Sequence, residues 1–426
     1  QRHRMKPTTT VNDDDVCILA YSRTPIGAFN GSLKSFTATQ LGTIAIASAL
    51  NNTNLNPSLV DAVYFGNVLS ANLGQAPARQ AALGAGIPST TPCTTVQKVC
   101  ASGMKSIALG AADIKLGHAR CVVVGGMESM TRVPFYATTA RFGHKLGNVT
   151  LMDGLNRDGL EDVYTKKSMG HCAEICASAL HYTREMQDRY TYTSYQRAVR
   201  ATKQGKFHQE IVPIEIPGEY GRPSRWMTED EECTARSITP SSLAAMRTAG
   251  FEPPEGGTAT VTAASSSTIS DGAAALVLSS GAFAKQHKAK VIAVVSGWGD
   301  AAKEPTWFTT APSEAIPIAL TRAGVTTKDV DYFEINEAFS VVALANKDIL
   351  KIDHDKLNVY GGAVSLGHPL GCSGARIVCT LLSVLLNEGG HVGCAGICNG
   401  GGGASAMVVK LYSTGETEKK QKMSRL

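Results

Sequence analysis

The sequence lacks a long uninterrupted apolar segment. A membrane-spanning helix needs about 20 consecutive apolar residues. The most promising stretch, 101–112, is interrupted by Lys105 and followed by Asp113. We therefore expect a soluble protein with no membrane partner.

The sequence also lacks the usual signatures of metal and nucleotide sites. Its histidines and cysteines show no paired C-x-x-C or H-x-x-x-H spacing, and the glycine run near residue 400 is not followed by the Gly-Lys-Ser/Thr of a phosphate-binding loop. The net charge is +5, but Lys and Arg are scattered and form no basic stripe. We therefore expect no nucleic-acid partner, and a small anionic ligand fits the charge better.

Disulfide bonds are not expected, because the chain has an odd number of cysteines, 11, and no secretory signal. The polar segment 1–15 is interpreted as the remnant of a transit peptide or of a tag. The polar tail 413–426 ends in Ser424-Arg425-Leu426, a variant of the peroxisomal S-K-L address. We expect a mitochondrial or peroxisomal protein, with a chance tripeptide and a cytosolic location as the alternative.

The apolar pattern predicts an α/β fold with two related halves. At 426 residues the chain exceeds the usual size of one domain. Short β-type runs, such as Val16–Ala20, alternate with Ala- and Leu-rich helical segments. We predict an N-terminal half over 16–126 and 258–283, a loop domain inserted at 127–257, and a C-terminal half over 284–412. The return to the first half is predicted to begin with β structure at Thr258–Thr262.

Two segments support an internal duplication. Thr95–Gly110 and Tyr360–Leu381 are each predicted to run from a β-type segment through a turn of small residues into a helix. This similarity is typical of two copies of one supersecondary unit.

Two cysteines and a histidine lie in segments that favour chemistry. Cys100 is predicted at a strand end where a helix begins, a position that lowers a thiol pKa. His368 lies in a tight Gly-His-Pro turn, where a neutral imidazole could accept a thiol proton. Cys398 is followed by Asn399 and four glycines, which can direct backbone N–H groups at a ligand oxygen. Taken singly, each could also be an ordinary buried cysteine or turn histidine.

Asn336 is predicted at the carboxyl end of the apolar strand Tyr332–Ile335. Ligands of α/β sheets bind at such strand ends, and an amide can hold a water without titrating.

Several sequence blocks, taken together, resemble the thiolase family from Val16 to Leu411. The blocks occur in the family's order and begin at Arg23 (RTPIG), Lys98 (KVCASGMK), Gly125 (GGMESM), Asp271 (DGAAA), Asn336 (NEAF), Gly367 (GHPLG) and Cys398 (CNGGGG). The resemblance implies the thiolase fold, two duplicated α/β halves in a layered αβαβα arrangement with an inserted loop domain. It also implies a homotetramer.

The resemblance implies an acyltransferase of the acetyl-CoA acetyltransferase type, which joins two acetyl-CoA into acetoacetyl-CoA and CoA or runs the reverse cleavage. Cys100 would carry the acyl group after His368 accepts its proton, and Cys398 would remove an α-proton from the second substrate. One oxyanion hole would come from His368 and a water held by Asn336, the other from the Cys100 and Gly400 N–H groups. CoA thioesters would be substrates, with no tightly bound cofactor.

Further positions are carried over from the family as substrate or ion contacts. The implied substrate contacts are Met169, Ser267, Phe308, Phe339 and Arg236. Potassium activation, known in some members, would involve Tyr195, Ala263, Ala264, Ser266 and Val364. Ser266 departs from the alanine expected at its position, which puts potassium activation in question.

Three alternatives stay open at this point. A broader 3-ketoacyl-CoA thiolase of β-oxidation would use the same residues. A β-ketoacyl synthase shares the fold but has a histidine where this chain has Asn336. A non-catalytic lipid-binding relative would have lost one of the reactive residues, and this chain keeps Cys100, Asn336, His368 and Cys398.

Overall fold

The structure, a computed structural model, describes residues 10–218 and 221–412. Residues 1–9 of the polar segment 1–15 and the whole tail 413–426, with its terminal tripeptide, lie outside the described residues. The strands are β1 (Val16–Arg23), β2 (Gly27–Ala28), β3 (Ala62–Gly66), β4 (Cys93–Val96), β5 (Cys121–Ser129), β6 (Phe135–Tyr136), β7 (Met152–Asp153), β8 (Ile214–Ile216), β9 (Arg225–Met227), β10 (Ser270–Ser280), β11 (Ala293–Ala302), β12 (Tyr332–Ile335), β13 (Val392–Asn399) and β14 (Gly403–Leu411). The α-helices are α1 (Ala38–Asn51), α2 (Pro77–Gly84), α3 (Ser102–Lys115), α4 (Met169–Ala179), α5 (Arg184–Lys203), α6 (Glu231–Ala235), α7 (Pro240–Ala244), α8 (Gly281–Gln286), α9 (Pro312–Arg322), α10 (Ser340–Ile349), α11 (Ala363–Leu366) and α12 (Leu370–Glu388).

The described part of the chain contains one ten-stranded sheet that joins both halves. Its order is β12-β13-β14-β11-β1-β10-β5-β3-β4, with β2 paired to β10. The strands are rich in Val, Ala and Cys and are buried almost throughout, as expected for a sheet covered on both faces. The halves meet where β1 pairs antiparallel with β11, Cys17 opposite Val294 and Ile18 opposite Ala293.

The pairing pattern repeats between the two halves. In the first half β3 and β5 are parallel, β5 and β10 antiparallel, and β10 and β1 antiparallel. In the second half β12 and β13 are parallel, β13 and β14 antiparallel, and β14 and β11 antiparallel. The order of the pairings therefore agrees with the duplication inferred from the sequence.

The core is layered. Helices α1 and α2 pack on the outer face of the first half, and α9 and α10 on that of the second. Between the two parts of the sheet lie α3 and α12, whose apolar residues share one cluster with strands of both halves. The layered αβαβα arrangement predicted from the resemblance is confirmed, and β1 and β11 join its two β layers into one sheet.

Two predicted strands are wrong. Thr258–Thr262 is irregular and keeps a single bridge, from Thr262 to Thr248, because Glu174 accepts hydrogen bonds from the N–H groups of Thr260 and Val261 that a strand would use. The β segment expected before the helix of Tyr360–Leu381 is reduced to two isolated bridges, Leu357 with Phe333 and Val359 with Gly361, followed by the short α11.

The loop segment is attached to β1 by a buried charge cluster. Arg23 is fully buried, and its guanidinium donates to Glu210 at 2.6 Å and to both carboxylate oxygens of Asp230 at 2.7 and 2.9 Å. The arginine of the RTPIG block is therefore explained by structure. The domain boundaries predicted at 126/127 and 283/284 stay predictions. Each falls inside a secondary-structure element, the first inside β5 and the second inside α8.

Within the described residues, α12 is long and apolar enough by length and composition to cross a membrane. The expectation that no such segment exists was therefore wrong. However, 89% of the relevant window is buried inside the protein, because α12 is a core helix that packs between the two parts of the sheet.

Candidate active site

Cys100 lies in a tight turn between β4 and α3. The preceding residue, Val99, has φ +46°, a left-handed conformation that is rare for a β-branched side chain. The turn is held by hydrogen bonds from Lys98 N to Ser102 Oγ at 2.8 Å and from Ser102 Oγ to Val99 O at 2.6 Å. Left-handed backbone of this kind costs of order 1–3 kcal/mol and persists only where its surroundings impose it.

Glycines allow the N-termini of α3 and α12 to approach closely. A Cβ on Gly103 would lie 2.9 Å from the carbonyl oxygen of Gly371 and 2.8 Å from the nitrogen of Ala375. A Cβ on Gly126 of β5 would lie only 1.9 Å from the same Gly371 oxygen. Cys100 precedes α3 and His368 precedes α12, so this crossing brings the two loops together.

His368 is oriented through its Nδ1 atom. Nδ1 lies 2.6 Å from Ser373 Oγ, and the Ser373 hydroxyl donates to the carbonyl oxygen of Pro369 at 2.9 Å. Since that hydroxyl proton is used, Ser373 accepts from Nδ1–H, which leaves Nε2 as the unprotonated nitrogen. Burial, followed by the positive charge of Arg376, lowers the pKa of His368 to about 3. The imidazole is therefore neutral and free to accept a proton.

Nε2 of His368 and the side-chain amide of Asn336 are both buried and have no hydrogen-bond partner within the described residues. Asn336 follows β12 directly, and its N–H donates to Gly396 O at 2.9 Å, so it lies beside the end of β13 that carries Cys398. The segment 267–268 connects the two loops, because Ser267 N donates to Ala338 O and His368 N donates to Thr268 O.

Cys398 is fully buried near the end of β13, opposite Ala404 of β14. Burial raises the pKa of Cys398 well above its ordinary value, and the neighbouring Cys100 raises it further. The two thiols are therefore close enough to interact electrostatically.

The expectation of a lowered pKa at Cys100 is wrong. Burial raises the pKa of Cys100 to about 12, although the N–H groups of Gly400 and of Cys100 itself oppose the shift. The free-energy cost of desolvating the thiolate outweighs the stabilisation that these two donors provide. The resting thiol is protonated and needs a base, and the two N–H groups predicted to form an oxyanion hole both point to its sulfur.

Most of the predicted substrate contacts lie around these groups. A Cβ on Gly400 would lie 3.6 Å from Met169 Sδ and 3.6 Å from Val99 Cγ1, so Met169 lies beside the Cys100 turn. Phe308 and Phe339 are buried in the cluster that contains Cys398. Ser267 is half-buried on the connecting segment.

Arg236 and the proposed potassium ligands lie around α5. Arg236 pairs with Glu232 at 2.7 Å, and its charge acts on the hydroxyl of the buried Tyr195. Helix α5, with Tyr195, packs against α11, which carries Val364. The remaining positions, Ala263, Ala264 and Ser266, lie in a turn in which Ser266 Oγ donates to Thr262 O at 2.8 Å. Potassium binding at these positions stays a prediction.

The sequence analysis missed several residues that support this site. Glu337 is fully buried and accepts hydrogen bonds from Tyr190 Oη, Ser194 Oγ, Asn358 Nδ2 and Val364 N. Phe251 packs edge-on against Phe339, with ring centroids 6.2 Å apart. The NEAF block was a signal for Glu337, whereas nothing in the sequence indicated Ser373 or Phe251.

Comparison with known proteins agrees with this arrangement. The chain matches the thiolase N-terminal domain over residues 16–282 and the thiolase C-terminal domain over residues 289–411. It is 55% identical to acetyl-CoA acetyltransferase 2 of Arabidopsis thaliana over 94% of this chain and 98% of that protein. It is 52% identical to acetyl-CoA acetyltransferase of Schizosaccharomyces pombe over 93% of this chain and 98% of that protein.

Among solved structures, the Acat5 thiolase of Ascaris suum in complex with coenzyme A superposes with a TM-score of 0.87. It is 42% identical and covers 93% of this chain and 100% of its own. The two domain matches and the near-complete coverage of these relatives show that the chain belongs to the thiolase family.

Proposed function

We propose that the protein is an acetyl-CoA C-acetyltransferase, which condenses two acetyl-CoA into acetoacetyl-CoA and CoA or cleaves acetoacetyl-CoA with CoA. The observation that carries the proposal is the pair of protonated thiols on opposite halves, one of them under two N–H donors, together with a neutral His368 whose buried Nε2 has no partner within the described residues. Relatives at 52–55% identity bear the name acetyl-CoA acetyltransferase.

The first half-reaction forms an acyl-enzyme. His368 Nε2 takes the Cys100 proton, and the sulfur attacks the thioester carbonyl. The N–H groups of Cys100 and Gly400 stabilise the tetrahedral oxyanion. The bond from the carbonyl carbon to the CoA sulfur then breaks, and the departing CoA thiolate takes the proton of Cys398. The site then holds S-acetyl-Cys100, an imidazolium and the Cys398 thiolate.

The second half-reaction forms the carbon–carbon bond. The Cys398 thiolate removes an α-proton from the second acetyl-CoA, and the enolate oxygen accepts hydrogen bonds from the imidazolium and from a water held by Asn336. The enolate carbon attacks the acetyl carbonyl, the Cys100 sulfur leaves, and His368 returns its proton. Burial suits this use of Cys398, because a thiol with a raised pKa becomes a strong base once it loses its proton.

Two variants test the proposal. Cys100→Ala should form no acyl-enzyme. Cys398→Ala should still be acylated, because CoA thiolate leaves without much help, but it should lose condensation by at least about 10²-fold. Intact-protein mass after mixing with acetyl-CoA reports acylation, and loss of acetoacetyl-CoA absorbance reports turnover.

Matched controls exist for both variants. Cys93, half-buried on β4, controls for Cys100, and Cys394, buried on the same strand as Cys398, controls for Cys398. Normal turnover in Cys100→Ala or Cys398→Ala would refute the assignment.

The substrate range is proposed to centre on short chains, because Met169 and Phe339 pack close to the reactive groups. Relative rates with acetoacetyl-CoA, longer 3-ketoacyl-CoAs and 2-methyl-branched ones test this. Equal or faster cleavage of long chains would favour the broader thiolase of β-oxidation.

We also propose a homotetramer, potassium activation, and a mitochondrial or peroxisomal location with the cytosol as the alternative. Phe142 and Leu146, exposed at 88% and 94%, are apolar side chains that a subunit interface would cover, and light scattering tests the assembly. Equal rates in potassium and sodium buffers would rule out potassium activation.

The terminal tripeptide favours peroxisomes, whereas the 53% identical relative of Gibberella zeae is named as cytosolic. Localisation of the tagged chain with and without Ser424–Leu426 tests which location is right.

A further inference from the structure

Lys98 connects the turn of Cys100 to the strand pair of Cys398. Its ammonium group donates to Asp300 Oδ1 at 2.5 Å, to Ser405 Oγ at 2.8 Å and to Ala404 O at 3.1 Å. An ammonium has three protons, so all of its donors are used. Lys98 belongs to the first half of the molecule, and the three acceptors lie on β11 and β14 of the second.

The acceptors are placed by the strands that position Cys398. Ala404, whose carbonyl accepts from Lys98, is the residue paired with Cys398 in the β13–β14 ladder. Asp300 is paired with Ser405 in the neighbouring ladder, and Ser405 Oγ also donates to Asp300 Oδ1 at 2.6 Å. A shift of Cys398 along its strand would therefore disturb the contacts of Lys98.

The other end of this connection is the strained turn. Lys98 is two residues before Cys100, and the intervening Val99 has φ +46°. The backbone N–H of Lys98 is fixed by Ser102 at 2.8 Å, so its side chain and its backbone are both held. Because the ammonium group of Lys98 is held by β11 and β14 and its backbone N–H by Ser102, the position of β14 constrains the position of the Cys100 turn.

Asp300 keeps its charge across the working range. Partial burial opposes ionisation, but hydrogen bonds from Lys105, Lys98 and Ser405 lower the pKa of Asp300 to about 2. Lys105 donates to the other oxygen, Oδ2, at 2.6 Å. Within the described residues, Lys105 donates to no acceptor on β14. It therefore shares the Asp300 anchor with Lys98 but lacks the connection to the β13–β14 strand pair.

We propose that Lys98, anchored by Asp300, is a positioning residue that sets the spacing between the Cys100 and Cys398 thiols. The inference rests on the proposed function for its catalytic consequence, because only carbon–carbon bond formation needs both sulfur atoms in register. Acylation needs Cys100 and the N–H donors of Cys100 and Gly400, but it does not need the Cys398 sulfur in register, because CoA thiolate leaves without much help. Loss of Lys98 should therefore separate the two half-reactions.

The experiment compares Lys98→Met with Lys105→Met, which remove the same charge from the same carboxylate. We expect Lys98→Met to retain acetylation of Cys100 within about fivefold while condensation falls by roughly 10²-fold, the loss typical of a 1 Å misplacement. Lys105→Met should stay within about fivefold in both, as expected for loss of a partly exposed ion pair. Asp300→Asn serves if Lys98→Met does not fold, and it should shift condensation in the same direction.

A second readout does not depend on the proposed function. The probe 1,3-dibromoacetone forms two thioethers and releases two bromides when both thiols reach it, and peptide mass measures bridged against singly alkylated Cys100. We expect the bridged fraction to fall in Lys98→Met and to stay unchanged in Lys105→Met. Bridging that depends on Lys98 in a protein without condensation activity would refute the proposed function and support the spacing role.

The proposal is overturned if the two lysine variants lose condensation equally, since charge alone would then explain the effect. It is also overturned if acetylation and condensation fall in parallel in Lys98→Met, or if the bridged fraction does not change.

Discussion

At the scale of single residues, the site combines neutral groups with unused hydrogen-bonding capacity. Nε2 of His368 and the amide of Asn336 are buried without partners in the described part of the chain. Leaving such groups unpaired costs about 1–3 kcal/mol each, so a fold retains them where a substrate or a water uses them. The two residues predicted to stabilise the enolate are thus among those that carry this cost.

Ser373 should matter for activity although it does not touch substrate. Ser373→Ala removes the acceptor for Nδ1–H, so the imidazole can change tautomer and turn its lone pair away from Cys100. We expect kcat/KM to fall by about 10²-fold, within the usual range for general-base catalysis. Ser383→Ala, on the same helix and buried, is the control, and similar losses in both variants would contradict the prediction.

Stability should depend on pH through His368. Its pKa is lowered to about 3 in the folded protein, so between pH 6.5 and 3 the unfolded chain binds a proton that the folded chain does not. The free energy of unfolding therefore falls as the pH falls, by about 1.4 kcal/mol per unit well inside this window. From pH 7 to pH 5.5 urea denaturation should show a loss of about 1 kcal/mol that is absent in His368→Gln. Identical pH dependence in both proteins would contradict the assignment.

At the scale of elements, the site depends on the close crossing of α3 and α12. Each helix begins just after a reactive residue, and both N-termini meet at glycines of β5 and of the helices themselves. A larger side chain at this crossing would separate Cys100 from His368 without touching either.

Gly126→Ala should be severely destabilising, because its Cβ would overlap the carbonyl oxygen of Gly371 at 1.9 Å. Backbone on both sides leaves no side chain to move, so we expect a loss of at least about 3 kcal/mol, beyond the usual cost of overpacking. Gly272→Ala is the control, since it lies nearby on β10 and its Cβ would meet Pro369 Cγ at 3.3 Å. Urea midpoints that shift equally would show that the crossing tolerates displacement.

Secondary-structure elements were predictable where the local sequence pattern and the tertiary packing favour the same structure. The apolar run Tyr332–Ile335 is a strand with the predicted bounds, and Val16–Ala20 lies within β1. The strand predicted at Thr258–Thr262 failed because backbone N–H groups of this segment donate to Glu174 and not to a neighbouring strand. Glu174 is 86 residues away from Thr260 in sequence, so the local pattern could not reveal it. The prediction of a lowered pKa at Cys100 failed for a related reason. The sequence showed the nearby helix end, but it did not show the burial that outweighs it.

At the scale of the whole molecule, the halves share one sheet and one central pair of helices. The cluster between the two β layers contains residues of α3 and of α12 together with strands of both halves. Neither half encloses that cluster by itself.

An isolated C-terminal half should therefore not fold as a unit. A fragment of residues 284–412 would expose the face of α12 that packs on α3. We expect no cooperative unfolding transition in calorimetry, whereas the whole chain should show one. A sharp transition in the fragment would contradict a shared core.

The antiparallel contact between β1 and β11 has a consequence for the origin of the site. These strands occupy equivalent places in the two halves, and antiparallel pairing of equivalent strands is what a twofold axis produces in a homodimer. The same pseudo-axis relates α3 to α12. An ancestral dimer would thus have placed two identical helix ends face to face, and after fusion into one gene each copy became free to diverge, one acquiring the Cys100 nucleophile and the other the His368 base.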